Sequence, residues 1–237
     1  MSMKIIHKAE TRGHANHGWL DSHHTFSFAS YYNPERMGFG LLRVLNDDIV
    51  APGMGFGAHP HDNMEIVSIP LSGELAHQDS TGNKKVIQTN DVQIMSAGSG
   101  LTHSEFNNSK TDQVNFLQIW VFPKEQNIKP RYEQKTFNPA DRQNKLQTVV
   151  SPEQGAESIW INQDAWFTLG SLKTGFTEDY KLHKSGNGVY AFVLEGDLEI
   201  DGEKLNKRDG MGISDFETIT IKATSDAELL LMEVPMN

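Results

Sequence analysis

The 237-residue chain contains no cysteine at all, and this absence narrows the chemistry open to it. A thiolate nucleophile, a cysteine-ligated zinc finger and an iron–sulfur cluster are excluded, and disulfides cannot contribute to folding. Any metal ion must therefore be held by nitrogen and oxygen ligands.

Basic residues and long apolar runs are also scarce. The 21 Lys and Arg residues are outnumbered by 31 Asp and Glu residues, and the net charge of −10 repels phosphate backbones. This charge argues against a general DNA or RNA binder. No run of about 18 apolar residues occurs, and the polar start MSMKIIHKAE lacks the apolar core of a signal peptide. We therefore expect a cytoplasmic protein with no membrane segment.

Short apolar runs, punctuated by glycine and proline, recur along the chain. Examples are LLRVL, EIVSIPL, DVQIMS and VNFLQIWVF. Runs of this length fit strands better than helices, because helices usually need ten or more residues of periodic sequence. The sequence therefore predicts an all-β protein.

The composition changes in the middle of the chain. Residues 123–158 are rich in Pro, Gln and Asn and poor in apolar residues, which indicates a connector on the surface. We accordingly divide the chain into an N-terminal domain, 1–130, and a C-terminal domain, 131–237. The turn EGDLEIDGEKL of the second half has the layout of LSGELAHQDSTGNKKV in the first half, which suggests a duplicated fold.

Two glycine-flanked segments carry residues typical of a metal site. His59 and His61 stand two positions apart, and His103 and Glu105 repeat this spacing about forty residues later. On an extended chain, residues i and i+2 project from one face about 7 Å apart, so each pair can converge on one ion. Two such pairs on two strands would supply four ligands. Imidazole and carboxylate together suit iron, manganese, copper or zinc better than calcium.

Other titratable residues compete for roles in this region. Glu65 lies at an even separation from the first histidine pair and competes with Glu105 for the carboxylate position. His77 stands alone in a predicted turn, where we expect it to be solvated. Adjacent His23 and His24 must point to opposite faces of a strand, so at most one can face a pocket, and a structural role is favoured for them.

The spacing of these residues resembles the two sequence motifs of the cupin superfamily. The residues that follow the first motif, with one extra residue before the last glycine, are Gly53, His59, His61, Glu65 and Gly73. The residues that follow the latter part of the second motif are Gly100, His103 and Asn107, with Gly98 in place of the motif's proline.

More closely, the chain resembles the pirins, in the bacterial branch described as having quercetin 2,3-dioxygenase activity. The resemblance covers nearly the whole chain, from LDSHHTFSFASYYNPERMGFGLLRVLNDD to VYAFVLEGDLEID. It implies a bicupin of two face-to-face β-barrels of the jelly-roll type, with a metal in the N-terminal barrel and a degenerate C-terminal barrel. The family's metal ligands fall on His59, His61, His103 and Glu105, which favours Glu105 over Glu65.

The resemblance also implies an activity. We expect a metal-dependent dioxygenase that opens a flavonol such as quercetin with O2, using one divalent ion. Iron(II) is favoured, with manganese, copper, nickel, cobalt and zinc as alternatives. Glu105 is the candidate general base as well as a ligand, and Phe26, Phe28 and Phe56 are candidates for the walls of the substrate pocket.

Two other functions remain open at this point. One is a non-catalytic, metal-binding regulatory protein of the pirin type, which would bind a protein partner. The other is an isomerase or hydrolase, since the ligand set alone does not choose the reaction. We expect a monomer, because paired barrels would already cover each other's faces.

Overall fold

The computed structural model describes residues 2–237, which form a β-protein with two short 3-10 helices, Ala9–Thr11 and Pro139–Arg142. The strands of the first part of the chain are β1 (Met3–His7), β2 (Gly13–Asn16), β3 (Leu20–His24), β4 (Leu42–Val50), β5 (Gly55–His61), β6 (Glu65–Ser72), β7 (Glu74–Asp79), β8 (Lys84–Gln88), β9 (Asp91–Ser96), β10 (Leu101–Asn107), β11 (Val114–Val121) and β12 (Arg131–Thr136). None of the helices in the described range is long and apolar enough to cross a membrane.

The strands of the second part repeat the arrangement of the first. They are β13 (Leu146–Ser151), β14 (Ile159–Trp160), β15 (Trp166–Leu172), β16 (Thr177–Lys181), β17 (Asn187–Glu195), β18 (Leu198–Ile200), β19 (Glu203–Leu205), β20 (Gly210–Ser214), β21 (Thr218–Ala223) and β22 (Ala227–Pro235).

Each half consists of a seven-stranded sheet and a four-stranded sheet. In the first half the strand orders are β12-β9-β6-β11-β4-β3-β2 and β5-β10-β7-β8. In the second half they are β1-β20-β17-β22-β15-β13-β14 and β16-β21-β18-β19. Strands β4 to β11 and β15 to β22 therefore occupy equivalent places, which is the predicted duplication. Each half is a jelly roll whose two sheets do not close into a complete barrel.

The two halves exchange one edge strand. Strand β1 pairs with β20 of the second half, from Met3 opposite Ser214 to His7 opposite Gly210. Strand β12 pairs with β9 of the first half. The segment 123–158 is not a plain connector, because it contributes β12 and β13 to the two large sheets. The domain division at residue 130 stays a prediction.

The two large sheets pack face to face around a common hydrophobic core. Strand β6 points Val67 and Ile69 into this core, where they join Phe167 of β15. The intervening residue Ser68 points the other way, into the first jelly roll, where its hydroxyl reaches Glu105. The period of two along each strand thus separates the interface from the interior of the jelly roll. The all-β bicupin fold expected from the sequence is confirmed.

Candidate metal centre

Strands β5 and β10 of the four-stranded sheet bring the two predicted ligand pairs together. His103 lies directly opposite His59, and the register shifts before Glu105, which lies opposite Phe56. The two backbones approach closely beyond this shift, since a Cβ on Gly55 would lie 2.2 Å from the carbonyl oxygen of Glu105. Glycine is therefore required at position 55.

Three imidazole rings converge on one point. The ring centroids are 4.4 Å apart for His59 and His103, 4.9 Å for His59 and His61, and 5.0 Å for His61 and His103. One ring nitrogen of each lies within 4.8 Å of one nitrogen of each of the others. The strand spacing thus predicted correctly that these histidines meet.

His103 shows the strongest physical sign of a metal site. The residue is 2% exposed, and within residues 2–237 neither of its ring nitrogens has a hydrogen-bond partner. Buried polar atoms are nearly always paired, so two unpaired nitrogens on one ring need an explanation. Burial and the neighbouring His59 and His61 lower the pKa of His103 to about 2. The ring is therefore neutral and keeps a lone pair, as a metal ligand requires.

The other two imidazoles are also placed to offer a ring nitrogen to an ion. Burial lowers the pKa of His61 to about 4. The Nδ1–H group of His59 donates to the carbonyl oxygen of Gly57, with 2.8 Å between nitrogen and oxygen, which leaves Nε2 with its lone pair. A hydrogen bond of this kind, from the second ring nitrogen, is the usual way in which a metal-binding histidine is oriented. The donor set fits a divalent transition metal.

Glu105 lies beside His103 and is enclosed by neutral donors. The hydroxyl of Ser68 donates to Oε1 at 3.2 Å, and the amide of Gln118 donates to Oε2 at 2.9 Å. Burial raises the pKa of Glu105 to about 7, because the hydrogen bonds from Ser68 and Gln118 offset only part of the loss of water. Its carboxylate lies within 4.8 Å of ring nitrogens of His103 and His77.

Two family models match the chain. Residues 6–121 match "Pirin", and residues 148–234 match "Quercetinase C-terminal cupin domain". A protein of Escherichia coli (strain K12) named "Quercetin 2,3-dioxygenase" is 45% identical over 235 residues, which is 98% of this chain and 99% of the relative. The chain belongs to the pirin family. A "Pirin-like protein" of Caulobacter vibrioides is 44% identical over 93% of this chain and 95% of its own length.

A solved structure of a relative contains a metal. The Escherichia coli pirin YhhW in complex with nickel(II) superimposes with a TM-score of 0.93 at 44% sequence identity, over 98% of this chain and 99% of the relative. This superposition supports the pirin fold, and the nickel(II) in the relative supports the general expectation that this pirin binds a divalent metal.

The prediction that His77 is solvated is wrong. It is 1% exposed instead of solvated, and its ring centroid lies 5.3 Å from that of His103. Strand β7 pairs with β10 and sets His77 opposite Glu105. Nε2 of His77 is 3.1 Å from a carboxylate oxygen of Asp79, and Nδ1 has no partner in the described chain. The spacing His77-x-Asp79, which puts both side chains on one face of a strand, was the signal that could have revealed this pair.

The carboxylate of Glu65 is engaged elsewhere in this pirin. It accepts hydrogen bonds from the hydroxyl of Ser96 at 2.8 Å and from the backbone N–H of Asn162 at 3.1 Å. The even separation from His59 does not put Glu65 on the ligand face. Strand β5 ends before a turn in which Asn63 has a φ of +43°, and β6 begins in the other sheet. Strand parity holds only within one uninterrupted strand.

An open cavity of about 610 Å³ lies beside His61. Its walls include Trp120, Met64 and Leu101. The Trp120 ring stands edge-on to the imidazole of His61, with 4.9 Å between centroids. Sequence reasoning missed Trp120, although its even spacing from Gln118 on β11 places both side chains on the inner face of the sheet.

The three phenylalanines proposed for the pocket pack elsewhere. Phe26 is 1% exposed and lies in the core between the two halves, edge-on to Tyr190. Phe28 packs edge-on against Trp120, and Phe56 packs edge-on against Trp19. Phe28 therefore lies one ring away from the cavity beside His61. For Phe26 the placement is that of a core residue, while pocket roles for Phe28 and Phe56 stay predictions.

Proposed function

We propose that this pirin is a metal-dependent dioxygenase that opens a flavonol such as quercetin with O2. The ligands of the one divalent ion that serves this reaction are His59, His61, His103 and Glu105, and the ion we expect is iron(II). The observation that carries the proposal is the buried His103 imidazole, whose two nitrogens have no partner among residues 2–237 while two further imidazoles face it. The relatives named as quercetin 2,3-dioxygenases support the choice of reaction.

The protein's own groups divide the chemistry between them. A divalent ion at this centre would supply Lewis-acid activation of an enolic hydroxyl. Glu105 is the group that accepts the hydroxyl proton, since it is a buried carboxylate within 4.8 Å of a ring nitrogen of His103. Ser68 and Gln118 each donate to one of its oxygens and so fix its orientation without neutralising its charge.

The cavity beside His61 is the proposed entrance for the substrate. It is open to solvent, and the indole of Trp120 and the side chain of Met64 supply apolar surface on which a flat aromatic ring can pack. Thr102, Ser80 and Ser99 on the same wall offer hydroxyls for the polar edge of a flavonol.

One experiment tests the proposal. The full chain and its His61→Ala, Glu105→Gln and His17→Ala variants are purified, their metal content is measured, and quercetin absorbance is followed together with oxygen consumption. We expect His61→Ala to lose metal and turnover, and Glu105→Gln to lose turnover while keeping a larger share of the metal. His17→Ala, which alters an exposed histidine in the turn before β3, should match the parent chain.

Two results would count against this function. Quercetin turnover that continues after the metal is removed would refute the dioxygenase mechanism. Metal bound in full without turnover of any flavonol would instead favour a regulatory, metal-binding role.

A further inference from the structure

A second cluster of metal-binding side chains lies on the hairpin of β2 and β3, in the large sheet of the first half. His14 pairs directly with His23, and Asn16 pairs with Asp21. These four residues share one face of the two strands because they alternate with the intervening positions. The His14 and His23 rings are stacked, with centroids 4.5 Å apart and planes 16° from parallel. The cluster shares no residue with the candidate metal centre.

The donor atoms of this cluster are spaced like the ligands of one ion. Nε2 of His14 lies 2.8 Å from Oδ1 of Asp21, and Nδ1 of His23 lies 3.7 Å from the same oxygen. All three donor atoms lie within 4.8 Å of one another. Ligands about 2.0–2.1 Å from a tetrahedral zinc ion are roughly 3.4 Å apart, so small side-chain rotations would bring the three atoms onto one ion.

Charge and exposure also suit a cation with water in its remaining positions. The guanidinium of the nearby Arg12 lies 3.3 Å from the carboxylate of Asp47, which offsets its positive charge. The side chains of His14, Asp21 and His23 are 51%, 39% and 35% exposed, so an ion held there would remain open to solvent.

We propose that His14, Asp21 and His23 form a second site for a divalent transition metal such as Zn²⁺, on the surface of the protein. Two imidazoles and one carboxylate are a common protein ligand set for zinc, with water completing the coordination. With one exposed and two half-buried ligands, the site binds its ion more weakly than the buried centre. Its occupancy is independent of the proposed reaction at the first centre.

The test is a Zn²⁺ titration of the metal-stripped full chain by isothermal calorimetry at pH 7.5. We expect two equivalents, and we expect His61→Ala to lose the tighter one. In the His61→Ala background, His23→Ala and His23→Gln should each weaken the remaining equivalent by more than the roughly 10- to 100-fold that loss of an outer partner causes. Asp21→Asn should weaken it as well. His17→Ala, a change of an exposed histidine in the same hairpin, should leave both equivalents.

Thermal melts of the metal-free variants check that the hairpin stays folded. A single Zn²⁺ equivalent in the parent chain would overturn the proposal. So would a second equivalent whose affinity changes less than tenfold in both His23 variants. Because the readout is metal binding and not turnover, failure of the proposed dioxygenase activity would leave this result intact.

Discussion

Strands β10 and β21 occupy the same place in the four-stranded sheets of the two jelly rolls, but they present opposite chemistry to the interior. Strand β10 points His103 and Glu105 inward, and both are buried. Strand β21 points Ile219 and Ile221 inward at the same alternating positions. The same backbone arrangement therefore accommodates a polar centre in one half and an aliphatic core in the other.

The surroundings of the two strands follow the same division. In the first half, Ser68 and Gln118 face inward and donate to the Glu105 carboxylate. In the second half, most of the interior is filled by apolar side chains from both sheets, among them Val189, Leu229 and Leu231. A buried polar group costs free energy unless it is paired, and His103 is not paired within the described chain. The first interior thus gives up stability at His103, a proposed metal ligand, whereas the second serves packing.

The largest expected effect on function comes from removing this difference at His103. Replacement of His103 by Leu makes the first interior resemble the second, and we expect metal binding and turnover to be lost. The metal-free protein should gain roughly 1–3 kcal/mol, because a ring with two unpaired nitrogens is replaced by an apolar side chain. Metal analysis and urea denaturation measure the two effects. A destabilised metal-free variant would show that His103 has a packing role that its contacts do not reveal.

The reverse substitution should be harmful. Ile221→Glu places an unpaired carboxylate in the aliphatic core of the second half, at a cost of roughly 3–5 kcal/mol. Ile221→Val at the same position should cost only about 0.5–1.5 kcal/mol. Urea denaturation of both variants gives the comparison. Equal stability of the two variants would mean that the second interior tolerates charge, and the contrast between the halves would then not rest on solvation.

The parts of the fold that could be predicted from the sequence are those with a local signal. The short apolar runs predicted the all-β class, and the strand spacing predicted that His59, His61 and His103 converge, as they do. The exchange of β1 and β12 could not be predicted, because the local sequence of each is that of any edge strand. Strand β1 in addition pairs with residues about 200 positions away. The pairing of β7 with β10, which buries His77, is likewise a property of the sheet and not of the segment.

The departure from the cupin motif at Gly98 also has a structural reason. Gly98 has a φ of +50°, a value that proline cannot adopt, and a Cβ there would lie 2.1 Å from the carbonyl oxygen of Ile128. The turn before β10 is therefore built differently here. The position of the glycine was visible in the sequence, but its contact with Ile128 was not.

Two buried carboxylates outside the centre sharpen the comparison through pH. Burial raises the pKa of Glu65 to about 7 from the ordinary 4.5. Burial acts in the same direction on Glu233, but donors that include the side chain and backbone of His183 outweigh it and lower the pKa of Glu233. Between pH 4.5 and 7 the native protein therefore holds more protons at Glu65 than the unfolded chain does. This group alone makes the native state less stable as the pH rises across that window.

Glu65→Gln should remove this pH dependence. The gain in the free energy of unfolding should be small at pH 4.5 and reach roughly 3 kcal/mol at pH 8, where the parent must hold a buried charge. Denaturation of the parent and the variant across this range measures the difference. Glu233→Gln is the matched control, and it should be most harmful at high pH, because its donors stabilise the charged form. If the free energies of unfolding of Glu65→Gln and the parent differ by the same amount at every pH, Glu65 does not have the raised pKa.

The smallest effect is expected at Gln118, which touches the centre only through Glu105. Gln118→Leu removes the amide that donates to Oε2, leaving the carboxylate oriented by Ser68 alone. We expect metal affinity to fall by roughly 10- to 100-fold, the range typical for loss of a partner that orients a ligand. Gln93→Leu is the matched control, because Gln93 is also a buried glutamine and its side-chain nitrogen donates to no group in the described residues. Calorimetric titration with Ni²⁺ should leave the Gln93 variant at the parent affinity. Equal Ni²⁺ affinity of the two variants would show that the polar lining of the first jelly roll does not orient the ligands. The two interiors would then differ in function only through the ligand residues.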